Sequence, residues 1–197
     1  INNKLDDMVE DGTLQEIITT YIQANVKWTF DNVADMQDST NLIAGSFAST
    51  LGFYTIGDGG ASTYKIKDVT GVTTNGRDKI AIGDSLYAEL VKEPVMTPEQ
   101  YGAYGDGTND DSDSLQACLD NSEKSHLTGV YLVSSTINVN KSVDMSGDSY
   151  IKADGTLTTK VVVIAPTHQI GNTYNINVDA SGVAGIGIAI GSPRKCI

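Results

Sequence analysis

The 197 residues include 13 Lys and Arg against 25 Asp and Glu, a formal net charge of −12. That balance excludes a nucleic-acid footprint, which needs a basic patch, and adsorption to an anionic membrane surface. A hydrophobic content of 40% with 20 glycines fits a folded, turn-rich chain of one or two domains and excludes a disordered one.

No run approaches the ~20 apolar residues of a membrane helix, so no membrane insertion is expected. The longest apolar runs, VVVIAP (161–166) and VAGIGIAIG (183–191), suit buried strands. The chain begins at Ile1 with no basic-then-apolar signal and stops after GSPRKCI, so it reads as part of a longer polypeptide. Cys118 and Cys196 lie far apart and form no ligand spacing. Cys118 falls on the apolar face of a predicted helix and is expected to be a buried free thiol. Cys196 says little.

Residues 1–28 read as helical. TLQE at 13–16 has the form of a capping box, with Thr13 and Glu16 exchanging backbone and side-chain hydrogen bonds. Leu14, Ile17, Ile18, Tyr21 and Ile22 then recur at helical spacing as one wide apolar stripe. Before it, Leu5, Met8 and Val9 repeat the pattern until Gly12 interrupts it. A helix this short needs something to pack on. Periodicity leaves open whether that is its own domain or identical helices of neighbouring chains.

Residues 29–93 change to period two. Phe53–Ile56 and Thr63–Ile66 read as short strands joined by Gly57-Asp58-Gly59-Gly60, whose steps supply the positive φ of hairpin turns. KIAIGDSLYAELV (79–91) reads as two more strands about Gly83-Asp84. The segment is expected to be a small antiparallel β module. A phosphate cradle at 57–60 lacks the following helix and the Lys-Ser/Thr it requires.

Pro94 and Pro98 mark a joint, and residues 94–197 carry many short strands separated by Gly, Asn, Asp and Ser. Val130–Val133, then Ile137, Val139, Val143 and Met145, then Ile151, Val161–Ile164, Tyr174, Ile176 and Val178, and last Ile186, Ile188 and Ile190 supply the apolar positions. Even spacing without long helices excludes a doubly wound α/β sheet and leaves a sandwich, a barrel or a solenoid.

The stretch YGAYGDGTNDDSDSLQACLD (101–120) sets Asp106, Asp110, Asp111, Asp113 and Asp120 around glycines and an apolar Leu115, Cys118, Leu119 stripe. Gly105-Asp106-Gly107 reads as a turn, Asp110 or Asp111 as an N-cap, and Asp113 as a first-turn charge favourable to the helix dipole. A calcium loop counted from Asp106 would need a glutamate at its twelfth position, where Ala117 stands. The adjacent Asp110 and Asp111 do not form the separated carboxylate pair of a glycosidase. The cluster reads as an architectural joint.

That stretch resembles the opening of pectate-lyase-like proteins, through Tyr101, Gly102, Ala103, Gly105, Asp106, Gly107, Asp110, Asp111, Ser112, Ser114, Leu115, Gln116, Leu119 and Asp120. Residues 129–147 resemble the first coil after it, and residues 175–190 a later coil of the same fold. Upstream, Val33–Met36, Leu42–Gly45, Thr50–Tyr54 and Gly57–Gly60 are similar to the module that precedes the β-helix in bacteriophage tailspikes and tail fibres. The resemblance implies a mainly β chain: an N-terminal helix (1–28), a small antiparallel module (29–93), and the capped start of a right-handed parallel β-helix (94–197). Some four coils are expected, with an amphipathic helix shielding the first sheet edge.

The implied function is that of a virion protein of the phage tail. Residues 1–28 would assemble a homotrimer and attach it to other tail or baseplate proteins, and the β-helix would bind a host surface polysaccharide. A lyase or glycoside hydrolase acting through the β-helix is one alternative, and a non-enzymatic adhesin is another. Asp144, Asp148, Asp154 and Asp179 sit in turn-like contexts, Asp179 being the one that follows a strand directly. His126 and His168 stand single, and Arg194 and Lys195 read as a solvated pair. Beyond Tyr131, Tyr150 and Tyr174 the β region has few aromatics that could line a glycan-binding face. No catalytic, cofactor-binding or metal-ligating residue is named from the sequence.

Overall fold

The computed structural model of the chain describes residues 2–164, 173–183 and 185–190. His168, Arg194, Lys195, Cys196 and the end of VVVIAP lie outside the described residues. The chain forms two compact units, one of residues 1–50 and 63–91, the other of residues 51–62 and 92–197.

The first unit opens with α1 (Asn2–Glu10) and α2 (Thr13–Asn25). The TLQE capping box does not form. Gly12 takes the cap position with φ 82°, no side chain caps the helix, and the Asp11 carboxylate accepts from Thr13 N at 2.8 Å instead. The left-handed glycine turns the chain so that the preceding aspartate, not Thr13, meets the free N–H groups.

After β1 (Lys27–Phe30), Asn32 caps α3 (Val33–Gln37) by accepting from Asp35 N at 2.9 Å. Strands β2 (Phe47–Thr50), β3 (Ser62–Asp68), β4 (Lys79–Ile82) and β5 (Leu86–Leu90) complete a sheet of order β1-β2-β3-β5-β4. The module is mixed rather than antiparallel: β5 pairs antiparallel with β3 and β4, but β1 and β2 run parallel. Alternation in β3 buries Tyr64 and Ile66, and α3 contributes Val33 and Met36 to the core.

Residues 53–56 form no strand, and no hairpin runs through 57–60. Residues 51–62 fold as a loop about the Asp58 carboxylate. Oδ1 accepts from Phe53 N at 3.0 Å and Gly60 N at 2.9 Å, and Oδ2 accepts from Tyr54 N at 2.7 Å and Thr55 N at 3.0 Å. Four backbone donors that a ladder would have used are thus satisfied by one side chain.

The second unit is a stack of parallel coils. Its first sheet holds β6 (Val95–Met96), β8 (Lys124–Leu127) and β11 (Ser142–Met145), extended by a parallel bridge from Val143 to Tyr174. Its second holds β7 (Asp106–Asp110), β9 (Val130–Val133), β12 (Tyr150–Ala153) and β14 (Val178–Asp179). Its third holds β10 (Ile137–Val139), β13 (Val162–Ile164) and β15 (Ile188–Ile190). Every pairing between these strands is parallel, with Val130 beside Tyr150, Lys124 beside Ser142, and Ile137 beside Val162. Each sheet therefore collects one strand per turn of the chain: a parallel β-helix. The inward residues, among them Leu127, Tyr131, Val133, Ile137, Val143, Ile151 and Val162, meet in one continuous core.

Between β7 and β8 lies α4 (Ser112–Asn121), whose Leu115 and Leu119 enter that core while Cys118 is buried as a free thiol. Burial pushes the Cys118 thiol up to about 12, so it stays protonated at neutral pH. Gln116 reaches the backbone of β10: Nε2 donates to Asn138 O at 3.0 Å, and Asn138 N donates to Oε1 at 2.8 Å. One carboxamide takes the place of a neighbouring strand.

Candidate functional site

The acidic stretch 101–120 is a set of backbone clamps. Asp111 occupies the N-cap position of α4 but makes no capping bond. Its buried carboxylate accepts instead from Tyr104 N at 2.7 Å and Gly105 N at 3.0 Å. Burial raises its pKa, and the charges of Asp106 and Glu99 act in the same sense. Asp110 accepts from Ser112 N at 3.0 Å and from the hydroxyls of Ser112 and Ser134, joining the helix start to the end of β9. Burial would raise its pKa, but those hydrogen bonds prevail and lower it. Asp106 accepts from Asn109 N at 2.9 Å and Thr108 N at 2.8 Å, which hold its carboxyl far below the usual range. Of the two capping candidates read from sequence, Asp110 meets the first N–H of α4, whereas the Asp111 carboxylate closes the loop at Tyr104 and Gly105.

Beneath these clamps, the buried Glu99 accepts from Tyr131 OH at 2.6 Å. The same phenolic oxygen accepts from Thr128 N and Gly129 N, each at 3.2 Å. Burial and then the charge of Glu99 push the Tyr131 pKa up, so the phenol remains a donor. Phe53 packs against Gly102, where φ is +84° and a Cβ would sit 2.7 Å from the ring. Tyr54 OH donates to Gly102 O at 2.8 Å, and the Tyr54 ring stacks on Tyr104 at 4.3 Å with 8° between planes.

The outer face of the first coil sheet carries a different arrangement. His126 of β8 and Asp144 of β11 are register partners, with Nδ1 to Oδ2 at 3.5 Å. Asn175, one coil further, donates Nδ2 to Asp144 Oδ1 at 3.3 Å and to Met145 O at 2.9 Å. An imidazole, a carboxylate and a carboxamide thus stand in a row along the coil axis, partly exposed, with donors and acceptors of the kind that bind hydroxyl groups. Asp144 lies in mid-strand, not in the turn expected of it, and it is the register neighbour of His126. Two of the other coil aspartates close turns: Asp154 accepts from Thr156 N and Asp179 from Ser181 N, each at 2.9 Å. Asp179 also neighbours Lys152 in register. Its pKa is lowered first by the Ser181 bonds, with a smaller effect of Lys152.

Among the described residues no group of three or more His, Cys, Asp or Glu is placed to hold a metal ion. None of the described helices is long and apolar enough to cross a membrane.

No protein-family model matches the chain. No curated protein sequence matches it. Solved structures do. Full-length tailspike protein 2 of an Escherichia coli bacteriophage aligns with 85% of this chain at 23% identity and a TM-score of 0.59. The enzymatically active domain of tailspike protein 2 of bacteriophage CBA120 aligns with 85% at 22% identity and the same TM-score. A glycan biofilm modifying enzyme of Pantoea stewartii, WceF, described as having a tailspike-like parallel β-helix, aligns with 71% at 14% identity and a TM-score of 0.53. The aligned parts make up 24%, 26% and 24% of those three chains, so this chain spans about a quarter of their length. Over the aligned region it has the tailspike-like parallel β-helix fold.

Proposed function

We propose that the chain is the N-terminal part of a phage tailspike that engages a glycan of the host surface. The observation that carries this reading is the fold match to tailspike protein 2 over 85% of the chain, together with the module order read in the sequence. In this reading the coils wind right-handed, α4 caps their first turn, and the body continues beyond the described strands. Helices α1 and α2, whose Ile17, Ile18, Tyr21 and Ile22 are exposed, gather three copies. They also face the tail or baseplate proteins that anchor the spike. The row His126, Asp144, Asn175 is the polar surface that a polysaccharide meets along the coils.

Two measurements test this. Light scattering behind a sizing column should return three times the 20.9 kDa chain mass, and a monomer would remove the assembly role of residues 1–28. A panel of purified O-antigen and capsular polysaccharides, immobilised and probed with the chain, should give at least one binder. Binding should weaken about tenfold in the His126→Ala/Asp144→Ala double variant. Absence of binding across the panel would count against a glycan-facing role for these coils.

A second reading is depolymerisation, supported by the match to a structure described as an enzymatically active domain. It predicts release of reducing ends from a bound polysaccharide. Binding without release would leave this part of the spike as a holding surface.

A further inference from the structure

Strand alternation gives the sheet of the first unit two unlike faces. Tyr64, Ile66, Ile80 and Ala88 are buried in one. The other is partly exposed and carries a row that crosses all five strands: Lys27, Phe47, Lys65, Glu89 and Lys79. Lys27 is the register partner of Phe47, Lys65 of Glu89, and Glu89 of Lys79. Lys65 Nζ stands 4.0 Å from the centre of the Phe47 ring and joins the two halves of the row. Beside it runs a row of hydroxyls. Thr29 and Ser49 are register partners, and the Ser49 and Thr63 hydroxyls lie 3.3 Å apart. Lys27 Nζ donates to Thr63 Oγ1 at 3.3 Å, which ties the two rows together.

In a chain of net charge −12 this face is positive. Lys67, two residues along β3 on the same face, forms an ion pair with Glu89. Four lysines against one glutamate leave Lys27, Lys65 and Lys79 as charge in excess. Asp68 belongs to the opposite parity of β3, and Asp78 is buried. Exposed charges beyond a Debye length of about 8 Å are largely screened at physiological ionic strength, so the face itself, not the net charge, governs what settles on it.

Spacing selects the occupant. Neighbouring strands lie about 4.8 Å apart, so Lys27, Lys65 and Lys79, each two strands from the next, repeat every ~9.6 Å. That is the length of a disaccharide in an extended glycan. A linear chain with a carboxylate on alternate sugars brings one carboxylate to each lysine, and its ring hydroxyls meet Thr29, Ser49 and Thr63. A nucleic-acid strand carries a charge every ~3.4 Å, far more densely than this row can answer. An acidic peptide matches the lysines but offers the hydroxyl row little.

We propose that this face of the first unit binds a linear acidic polysaccharide with one carboxylate per disaccharide, laid across the strands. It is a glycan site separate from the His126, Asp144, Asn175 row and is argued without it. The test immobilises the full chain and measures binding of hyaluronan, which alternates an acidic and a neutral sugar, beside carboxyl-reduced hyaluronan, which keeps the chain and loses the charge. Hyaluronan should bind at least about tenfold more tightly than its reduced form. Lys27→Gln/Lys79→Gln, with both changes on edge strands, should weaken it about tenfold. Thr29→Val/Ser49→Ala keeps every charge and should weaken it about threefold. The pair of probes decides the matter even where a variant fails to fold.

Hyaluronan that does not bind, or binds no better than its reduced form, would overturn the proposal and leave the coil reading to its own polysaccharide panel. Poly-L-glutamate or a thymidine oligonucleotide binding as tightly as hyaluronan would overturn it too, reducing the face to an unselective positive surface. Hyaluronan binding lost in the His126→Ala/Asp144→Ala variant would overturn the placement and move the polysaccharide to the coils.

Discussion

At the scale of single residues, the second unit depends on a few side chains that each serve several backbone donors. Tyr131 is one of them. Its hydroxyl donates to Glu99 and receives two N–H groups, so Tyr131→Phe removes one donor and one shared acceptor in a buried place. A buried polar group left without a partner costs about 1–3 kcal/mol, and the loss of stability in urea should fall at the upper end of that range. Tyr131→Phe together with Glu99→Leu should recover part of the loss, since the unpartnered carboxylate goes with it. At Gly102, alanine meets both the positive φ and the Phe53 ring. Gly102→Ala should cost about 2 kcal/mol, and Phe53→Ala in the same chain should relieve the steric part.

Elements show why some of this fold was legible and some was not. Strands β9 to β13 announce themselves because their alternation is regular and their inward residues are apolar. β7 does not: DGTND is poor strand material, and parallel pairing with β9 imposes its conformation. The loop 51–62 fails in the opposite sense. Glycines and an aspartate between apolar runs signal a hairpin, but the Asp58 carboxylate captures the donors and the aromatics pack on Gly102. The His126, Asp144, Asn175 row was hidden for another reason. Its members are neighbours only through coil register, and coil length is set by loops whose size has no local signature. Gln116 belongs at this scale too. Replacing it by alanine removes both hydrogen bonds to Asn138 and should lower stability by about 1–2 kcal/mol. Amide exchange of Asn138 should quicken before that of Val163 on the next coil.

For the whole molecule, the carboxylates set an opposing pair of pH dependences. Asp58, Asp106 and Asp110 have lowered pKa values. Their stabilisation is present above the ordinary carboxylate pKa and is lost as pH falls through their folded values. Asp111 is raised, so its contribution is complete below the ordinary value and is lost as pH rises through the raised one. Stability should therefore fall as pH drops below the ordinary carboxylate range, with Asp111 opposing part of that fall. Urea midpoints across pH 2.5–8 check this, and Asp106→Asn should flatten the acid limb.

The exchange of a strand for the Gln116 carboxamide bears on how such a body changes length. One end of the third sheet is finished by a side chain that belongs to α4, whereas every later join is the same parallel step from coil to coil. Each coil touches only the coils beside it. A further coil inserted between β12 and β14 would meet the joins it needs on both sides and leave the finished end untouched. The β-helix is in that sense a ladder with one closed foot, and rungs can be added or taken away above it without rebuilding the base.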